Sequence, residues 1–175
     1  MDLYYKLFID YGINVGQILT MKKHFSGKRE YANQRGCMEV MLRSGVVPIV
    51  NENDTVSITE LMFTDNDELS GLVAAMVGAE TLILLTNVDG LYTGAPDDPA
   101  STLVSRVLPG EDLAACIRPG KSGAGRGGMV SKYRTALRTA AEGIRVLIAN
   151  GKRDHILTGL LTNPEHTVHT EFIPG

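Results

Sequence analysis

Two polar clusters and one glycine-rich run are the stretches of this 175-residue sequence whose residue types and spacing suit chemistry. The first cluster, Asn51-Glu52-Asn53-Asp54, directly follows the apolar run Val46-Val47-Pro48-Ile49-Val50. The second, Asp65-Asn66-Asp67-Glu68, directly precedes an apolar helical pattern. Burying such charges unpaired costs on the order of several kcal/mol each, so carboxylates and carboxamides gathered near a strand end point to a polar ligand. Helix capping and turn chemistry account for Asp65 or Asn66 but poorly for Asp54, Asp65, Asn66 and Asp67 together, and both readings stay open at this level.

The glycine-rich run is Gly123-Ala124-Gly125-Arg126-Gly127-Gly128, followed at once by Met129-Val130-Ser131-Lys132. It fits GxGxxG as a bare string, but no strand precedes it and the residues before it are polar, which argues against a dinucleotide fingerprint. Lys132 also lacks the preceding glycine that a Walker A loop demands. Two readings remain. A glycine run entering a helix with a lysine in its first turn can bring backbone N–H groups and one positive charge to phosphate oxygens; alternatively it is a surface loop with Lys132 as a solvated charge. The four histidines, His24, His155, His166 and His169, are scattered and fit surface positions. Cys37 and Cys116 belong to no ligand pattern and suit buried free thiols in a reducing compartment, and no protein-built metal site is expected.

An alternation of helices and strands must position these groups. Apolar spacing predicts a helix over residues 3–10 ending near Gly12, a strand over 13–19, a helix over 29–43 and, after Gly45, a strand at 46–50 buried on both faces. A helix capped by Asp65 or Asn66 runs to near Gly78, with Asp67 and Glu68 against the positive end of its dipole. A buried strand over 81–86 follows and stops at Asn87-Val88-Asp89-Gly90, where Asp-Gly signals a turn. Further helices are predicted over 111–116, from the glycine run to Ala141, and over 154–161, with a last strand at 144–149 and a tail without periodicity. This order predicts an α/β fold, a three-layer α/β/α sandwich with a mostly parallel sheet. Ligands in such sheets sit beyond the carboxyl ends of the strands, which places Asn51 to Asp54 and Thr86-Asn87 beside one site.

With 43% hydrophobic residues the chain has material for one sizeable core, and one domain is the expectation. Seventeen basic against 20 acidic residues, a net charge of −3 and no basic block disfavour nucleic acid or an anionic membrane as partner. No apolar run approaches a signal peptide or membrane span, so a cytoplasmic location is expected.

Taken together, Val46 to Asp54, Thr64-Asp65-Asn66-Asp67 with Leu69-Ser70, Leu84 to Thr93, and Gly125-Arg126-Gly127-Gly128-Met129-Val130-Ser131-Lys132 resemble the glutamate 5-kinases of the amino acid kinase superfamily. The resemblance covers nearly the whole chain, in order. It implies ATP-dependent phosphorylation of the L-glutamate γ-carboxylate to glutamyl 5-phosphate, the first step towards proline, with Mg²⁺ accompanying the nucleotide. Carried over position by position, it makes Asp54 and Asn66 glutamate ligands with Asp65 in the same loop, and Asp67 the aspartate that holds the catalytic lysines. It makes Thr86, Asn87, Gly125, Arg126, Gly127, Gly128 and Met129 nucleotide contacts, and Lys132 a phosphoryl-stabilising lysine. Arg126 stands where relatives carry a small or apolar residue, and Asn87 where they carry aspartate. The resemblance further implies a homo-oligomer with L-proline as feedback inhibitor. It also implies that the amino acid kinase domain is incomplete at its N-terminus, without the phosphate loop, its second catalytic lysine and the serine-rich glutamate loop, and without a C-terminal RNA-binding-like domain. A non-catalytic remnant serving as an oligomerisation or ligand-binding module is the alternative.

Overall fold

The alternation of apolar side chains along two adjacent strands decides the architecture of the C-terminal half. The structure is a computed structural model describing residues 1–53, 63–117 and 128–175. The chain divides into two compact units, Met1–Val77 and Gly78–Gly175, each described below by itself.

In the first unit, α1 (Asp2–Ile9) leads to β1 (Asn14–Thr20); a 3₁₀ turn (Lys22–Phe25) then precedes α2 (Lys28–Arg43), β2 (Val46–Glu52) and α3 (Asn66–Val77). β1 and β2 pair in parallel, Asn14 opposite Val46 through Thr20 opposite Glu52. One face of this pair supplies Ile18 and Val50 to a cluster with Met38 and Met41 of α2 and Val73, Met76 and Val77 of α3. Gly16 lies under Met41, and a Cβ there would collide with the methionine methyl. The opposite face is more open than the apolar run at 46–50 predicts: Val47 is 37% exposed and Leu19 42%. β2 thus continues through Asn51 and Glu52 as a strand that is only partly covered.

The second unit holds β3 (Thr81–Thr86), β4 (Arg106–Val107), α4 (Met129–Ala141), β5 (Arg145–Asn150), α5 (Ile156–Thr162) and β6 (Thr170–Phe172). Its sheet order is β3-β5-β6-β4. β3 and β5 are parallel, β4 and β6 are parallel, and β5 and β6 meet antiparallel. Side chains alternate across a strand. Accordingly Leu82, Leu84, Val146 and Ile148 pack with Tyr133, Ala136 and Ala140 of α4, while Ile83, Leu147 and Ala149 pack with Ile156 and Leu160 of α5. Helices therefore cover both faces of this sheet, as the predicted three-layer α/β arrangement requires.

Four expectations are corrected here. Cys37, expected to be buried, is exposed, because its neighbour Met38 is the α2 residue that turns into the core. The strand at 81–86 is not buried throughout: β3 is the edge of its sheet, α5 covers Ile83, and Leu85 stays 44% exposed. The helix predicted over 111–116 is reduced to a 3₁₀ turn over Ala114–Cys116. Side chains engage the local backbone donors instead: Leu108 N–H donates to Glu111, Leu113 N–H to the Tyr133 hydroxyl, and Ala114 N–H, which a helix starting at Glu111 would give to the Gly110 carbonyl, to Asp112. Finally, the tail without periodicity contains β6, inserted between β5 and β4.

Thr170, fully buried in β6, carries much of the local order. Its hydroxyl accepts the Leu91 N–H at 2.8 Å and donates to the Val104 carbonyl at 2.6 Å. Gly90, with φ of 157°, passes so close that a Cβ would collide with this hydroxyl. Thr170→Val preserves shape but orphans both backbone groups, which costs about 1–3 kcal/mol. Urea unfolding of the variant is expected to show a lowered midpoint with an unchanged slope.

Candidate active site

Asp65 begins the polar cluster of the first unit as the cap of α3. Its Oδ1 accepts the Glu68 N–H at 2.9 Å and its carbonyl accepts the Leu69 N–H at 3.3 Å. Glu68 reaches back to accept the Thr64 N–H at 2.8 Å, so two N–H groups at the helix start are satisfied reciprocally, a near relative of the capping box. Lys22 Nζ lies 3.6 Å from the other Glu68 oxygen. Capping thus accounts for one Asp65 oxygen. The other, Oδ2, is buried with no hydrogen-bond partner among the described residues, and capping does not explain it.

Asn66 and Asp67 occupy the first two positions of α3, Asn66 exposed and Asp67 half-buried, and the Ser70 hydroxyl donates to the Asp67 carbonyl at 2.7 Å. The carboxyl end of β2 is held beside this segment. Glu52 accepts the Phe63 N–H at 2.9 Å, Asn53 N–H donates to the Thr20 carbonyl at 2.8 Å, and Phe63 packs edge-on to Phe25. Asp54 lies outside the described residues.

His24 fastens the end of β1. Its Nδ1 accepts the Met21 N–H at 3.2 Å and lies 3.1 Å from the Thr20 hydroxyl. An amide N–H can only donate, so Nδ1 must stay unprotonated and the neutral ring carries its proton on Nε2. Burial, aided by the neighbouring Lys23, pushes the His24 pKa below its ordinary value of 6.5.

In the second unit, Thr86 ends β3 and Asn87 follows it, exposed, with the Thr86 hydroxyl 3.4 Å from Asn87 Oδ1. Gly128 stands at the N-cap position of α4 and can offer no capping side chain. Met129 is the first helical residue and half-buried Lys132 completes the first turn, its N–H donating to the Gly128 carbonyl at 3.2 Å. Topology brings these to Thr86. α4 of 13 residues and β5 of six are each about 20 Å long. They are joined at the far end by residues 142–144. The start of α4 therefore returns to the end of the sheet where Thr86 pairs with Asn150. Gly125, Arg126 and Gly127 lie outside the described residues. Asp65, Asn66 and Asp67 belong to one unit and Thr86, Asn87, Gly128, Met129 and Lys132 to the other.

Sequence reasoning passed over Tyr133. This buried side chain uses its hydroxyl to accept the Leu113 N–H at 2.7 Å and approach Asp112 Oδ1 at 3.2 Å, tying the segment before the glycine run to the helix after it. Burial and the nearby Asp112 carboxylate keep the phenol protonated, its pKa above 10.0. Only a tyrosine following Lys132 within a helical pattern hinted at it. A separate concavity of about 810 Å³ lies by the opposite end of this sheet, lined by Arg106, Arg145, His166, His169 and Glu171 among others, but Glu171 already pairs with both arginines.

The sequence model of the Amino acid kinase family matches residues 1–150, and the chain belongs to that family. Glutamate 5-kinase of Bacteroides thetaiotaomicron is 58% identical over 175 residues, all of this chain and 49% of that protein. Glutamate 5-kinase of Chlorobaculum tepidum is 46% identical over 159 residues, 90% of this chain and 43% of that protein. The chain spans about half the length of the curated relatives it matches. Among solved structures, an isopentenyl phosphate kinase matches with a TM-score of 0.67 at 20% identity, over 98% of this chain and 64% of its own. UMP kinase from Ureaplasma parvum matches with 0.61 at 14%, over 98% and 62%. These structural likenesses concern the fold alone. No helix of the described residues is long and apolar enough to cross a membrane.

The lowered His24 pKa has a direct readout. As pH falls the unfolded chain takes up this proton before the folded one, so the ring's contribution to stability is complete above pH 6.5 and is lost as pH drops through the lowered folded value. An NMR titration is expected to place His24 below the ordinary histidine midpoint, and the stability gap between wild type and His24→Ala to shrink on acidification.

Proposed function

We propose that this chain carries the site of an ATP-dependent phosphotransferase that acts on the γ-carboxylate of L-glutamate and yields glutamyl 5-phosphate, the first step towards proline. The observation that carries this reading is the 58% identity with a glutamate 5-kinase over all 175 residues, a span that includes every candidate position. The family match runs from residue 1 to 150, across both units, and supports treating them as one amino acid kinase domain.

The substrate end belongs to the start of α3. The buried Asp65 Oδ2, without a partner among the described residues, suits a ligand that donates a charged N–H, as the glutamate ammonium does, and Asn66 beside it can both donate and accept. Asp54 as a further glutamate ligand, and Asp67 as the residue holding the catalytic lysines, rest on resemblance.

The nucleotide end belongs to Thr86, Asn87 and the start of α4. A helix N-terminus whose N-cap glycine has no side chain to cap it, with Lys132 in the first turn, suits phosphate oxygens, because the backbone N–H groups and the lysine charge act together. Gly125, Arg126 and Gly127 join this end by resemblance, as do Gly128 and Met129 as nucleotide contacts. A γ-carboxylate oxygen attacks the γ-phosphorus and forms the new O–P bond. The bond from phosphorus to the β,γ-bridging oxygen breaks, and ADP leaves with that electron pair. The carboxylate attacks already ionised, so no proton moves. What the chain supplies is alignment and compensation of charge on the equatorial oxygens, the role given to Lys132.

Among the described residues no group of three or more His, Cys, Asp or Glu side chains converges to cage a metal ion. Mg²⁺ enters this reading by resemblance, arriving on the nucleotide phosphates, where it would neutralise charge. A cytoplasmic location, a homo-oligomeric state and inhibition by L-proline complete the reading by resemblance.

The test is turnover of the purified chain with ATP, Mg²⁺ and L-glutamate, the acyl phosphate being trapped by hydroxylamine. Lys132→Ala is expected to lower the rate about 100- to 1,000-fold. Absence of turnover in the wild type, with L-glutamate still bound, would favour a ligand-binding module that does no chemistry.

A further inference from the structure

Three residues that the proposed reaction leaves unused form a closed network at the nucleotide end of the second unit. Asp89 lies three positions beyond Thr86, and Arg153 three beyond Asn150, the residue that pairs with Thr86 across the sheet. Arg153 grips the Asp89 carboxylate with two parallel bonds, Nε to Oδ1 and Nη2 to Oδ2, both 2.7 Å. Asn150 adds a third, Nδ2 to Oδ1 at 3.0 Å. The turn leaving β5 is fixed in the same place, since Gly151 N–H donates to the Thr86 carbonyl at 2.8 Å, Lys152 N–H to Asn150 Oδ1 at 3.0 Å and Arg153 N–H to the Asn150 carbonyl at 3.1 Å. The turns that follow two adjacent parallel strands are thus tied to each other by side chains, with the Asn87-Val88 peptide spanning the loop between the ties.

An isolated surface ion pair contributes little to stability, and Arg153 is half exposed, so its geometry calls for a purpose other than holding the fold together. A two-point fork between guanidinium and carboxylate fixes direction as well as distance, and lysine cannot reproduce it. The guanidinium also holds the Asp89 carboxyl below the usual carboxylate range, so the network stays charged at neutral pH.

We infer that Asp89, Asn150 and Arg153 are positioning residues for the nucleotide, acting through the backbone of Thr86 and Asn87. The inference rests on the nucleotide role proposed for that strand end. These residues need not touch ATP; they hold the loop so that Thr86 and Asn87 present their polar groups in one geometry. Displacement of such groups by an ångström weakens a preorganised site about tenfold to a hundredfold.

Calorimetric titration of the whole chain with Mg·ATP, and separately with L-glutamate, tests this in wild type, Arg153→Met, Asp89→Asn, the double variant and Arg153→Lys. Thermal midpoints are recorded alongside. Expected are nucleotide affinities about tenfold weaker in both single variants, no further loss in the double variant, partial recovery in Arg153→Lys, and an unchanged affinity for L-glutamate. Nucleotide affinities within twofold of wild type would overturn the inference even if the midpoint falls, because the network would then be a brace only. Parallel loss of affinity for both ligands would also overturn it, as general loosening. If the wild type itself fails to bind Mg·ATP, the nucleotide reading of the strand end falls, and this inference with it.

Discussion

The register between β3 and β5 is the constraint on which the second unit depends. With Thr81 opposite Arg145 and Thr86 opposite Asn150, one parity of side chains faces α4 and the other faces α5. A slip of one residue would turn Val146 and Ile148 towards the wrong helix and lift Thr86 away from Asn150. Core packing and the geometry of the candidate nucleotide end are therefore set by the same pairing. Four consecutive fully buried residues, Val146 to Ala149, make any other register costly.

The first unit meets a comparable demand at a helix end. Asp65 accepts an opening N–H of α3 and Glu68 the N–H of Thr64 just before it, from within the cluster that also furnishes candidate substrate ligands. The structure gives one Asp65 oxygen to the helix, and the binding proposed above would use the other. Composition alone left capping and binding as rival readings because a single side chain offers an oxygen to each.

Much of this was legible in the sequence, for local physical reasons. Helical spacing located α2 and α4, an Asp-Asn pair before an apolar run located the start of α3, and runs of Leu, Ile and Val located β3 and β5. What escaped depends on distant partners. β6 is three residues long and owes its place to Thr170, whose hydroxyl bonds lie 66 and 79 positions away. At 111–116, where a helix was expected, the Leu113 N–H goes to Tyr133, a partner outside any local window. Of the candidate site, the strand and helix ends at Thr86, Asp65 and Gly128 were foreseeable from pattern. The tie between Asp89 and Arg153, 64 residues apart, was not, because a spacing of that length carries no periodic signal.

The place of β6 also bears on how this polypeptide can be made. It enters the middle of a sheet between β5 and β4, and among the described residues β4 has its ladder partner only there, Arg106 with Glu171 and Val107 with Phe172. A nascent chain emerging from a ribosome could pair β3 with β5 early, yet it would hold β4 and the residues around Leu91 and Val104 without their partners until Thr170 and Phe172 had appeared. Completion of this unit is thus deferred until β6 has been made, which exposes strand edges meanwhile and makes that segment decisive for escaping aggregation.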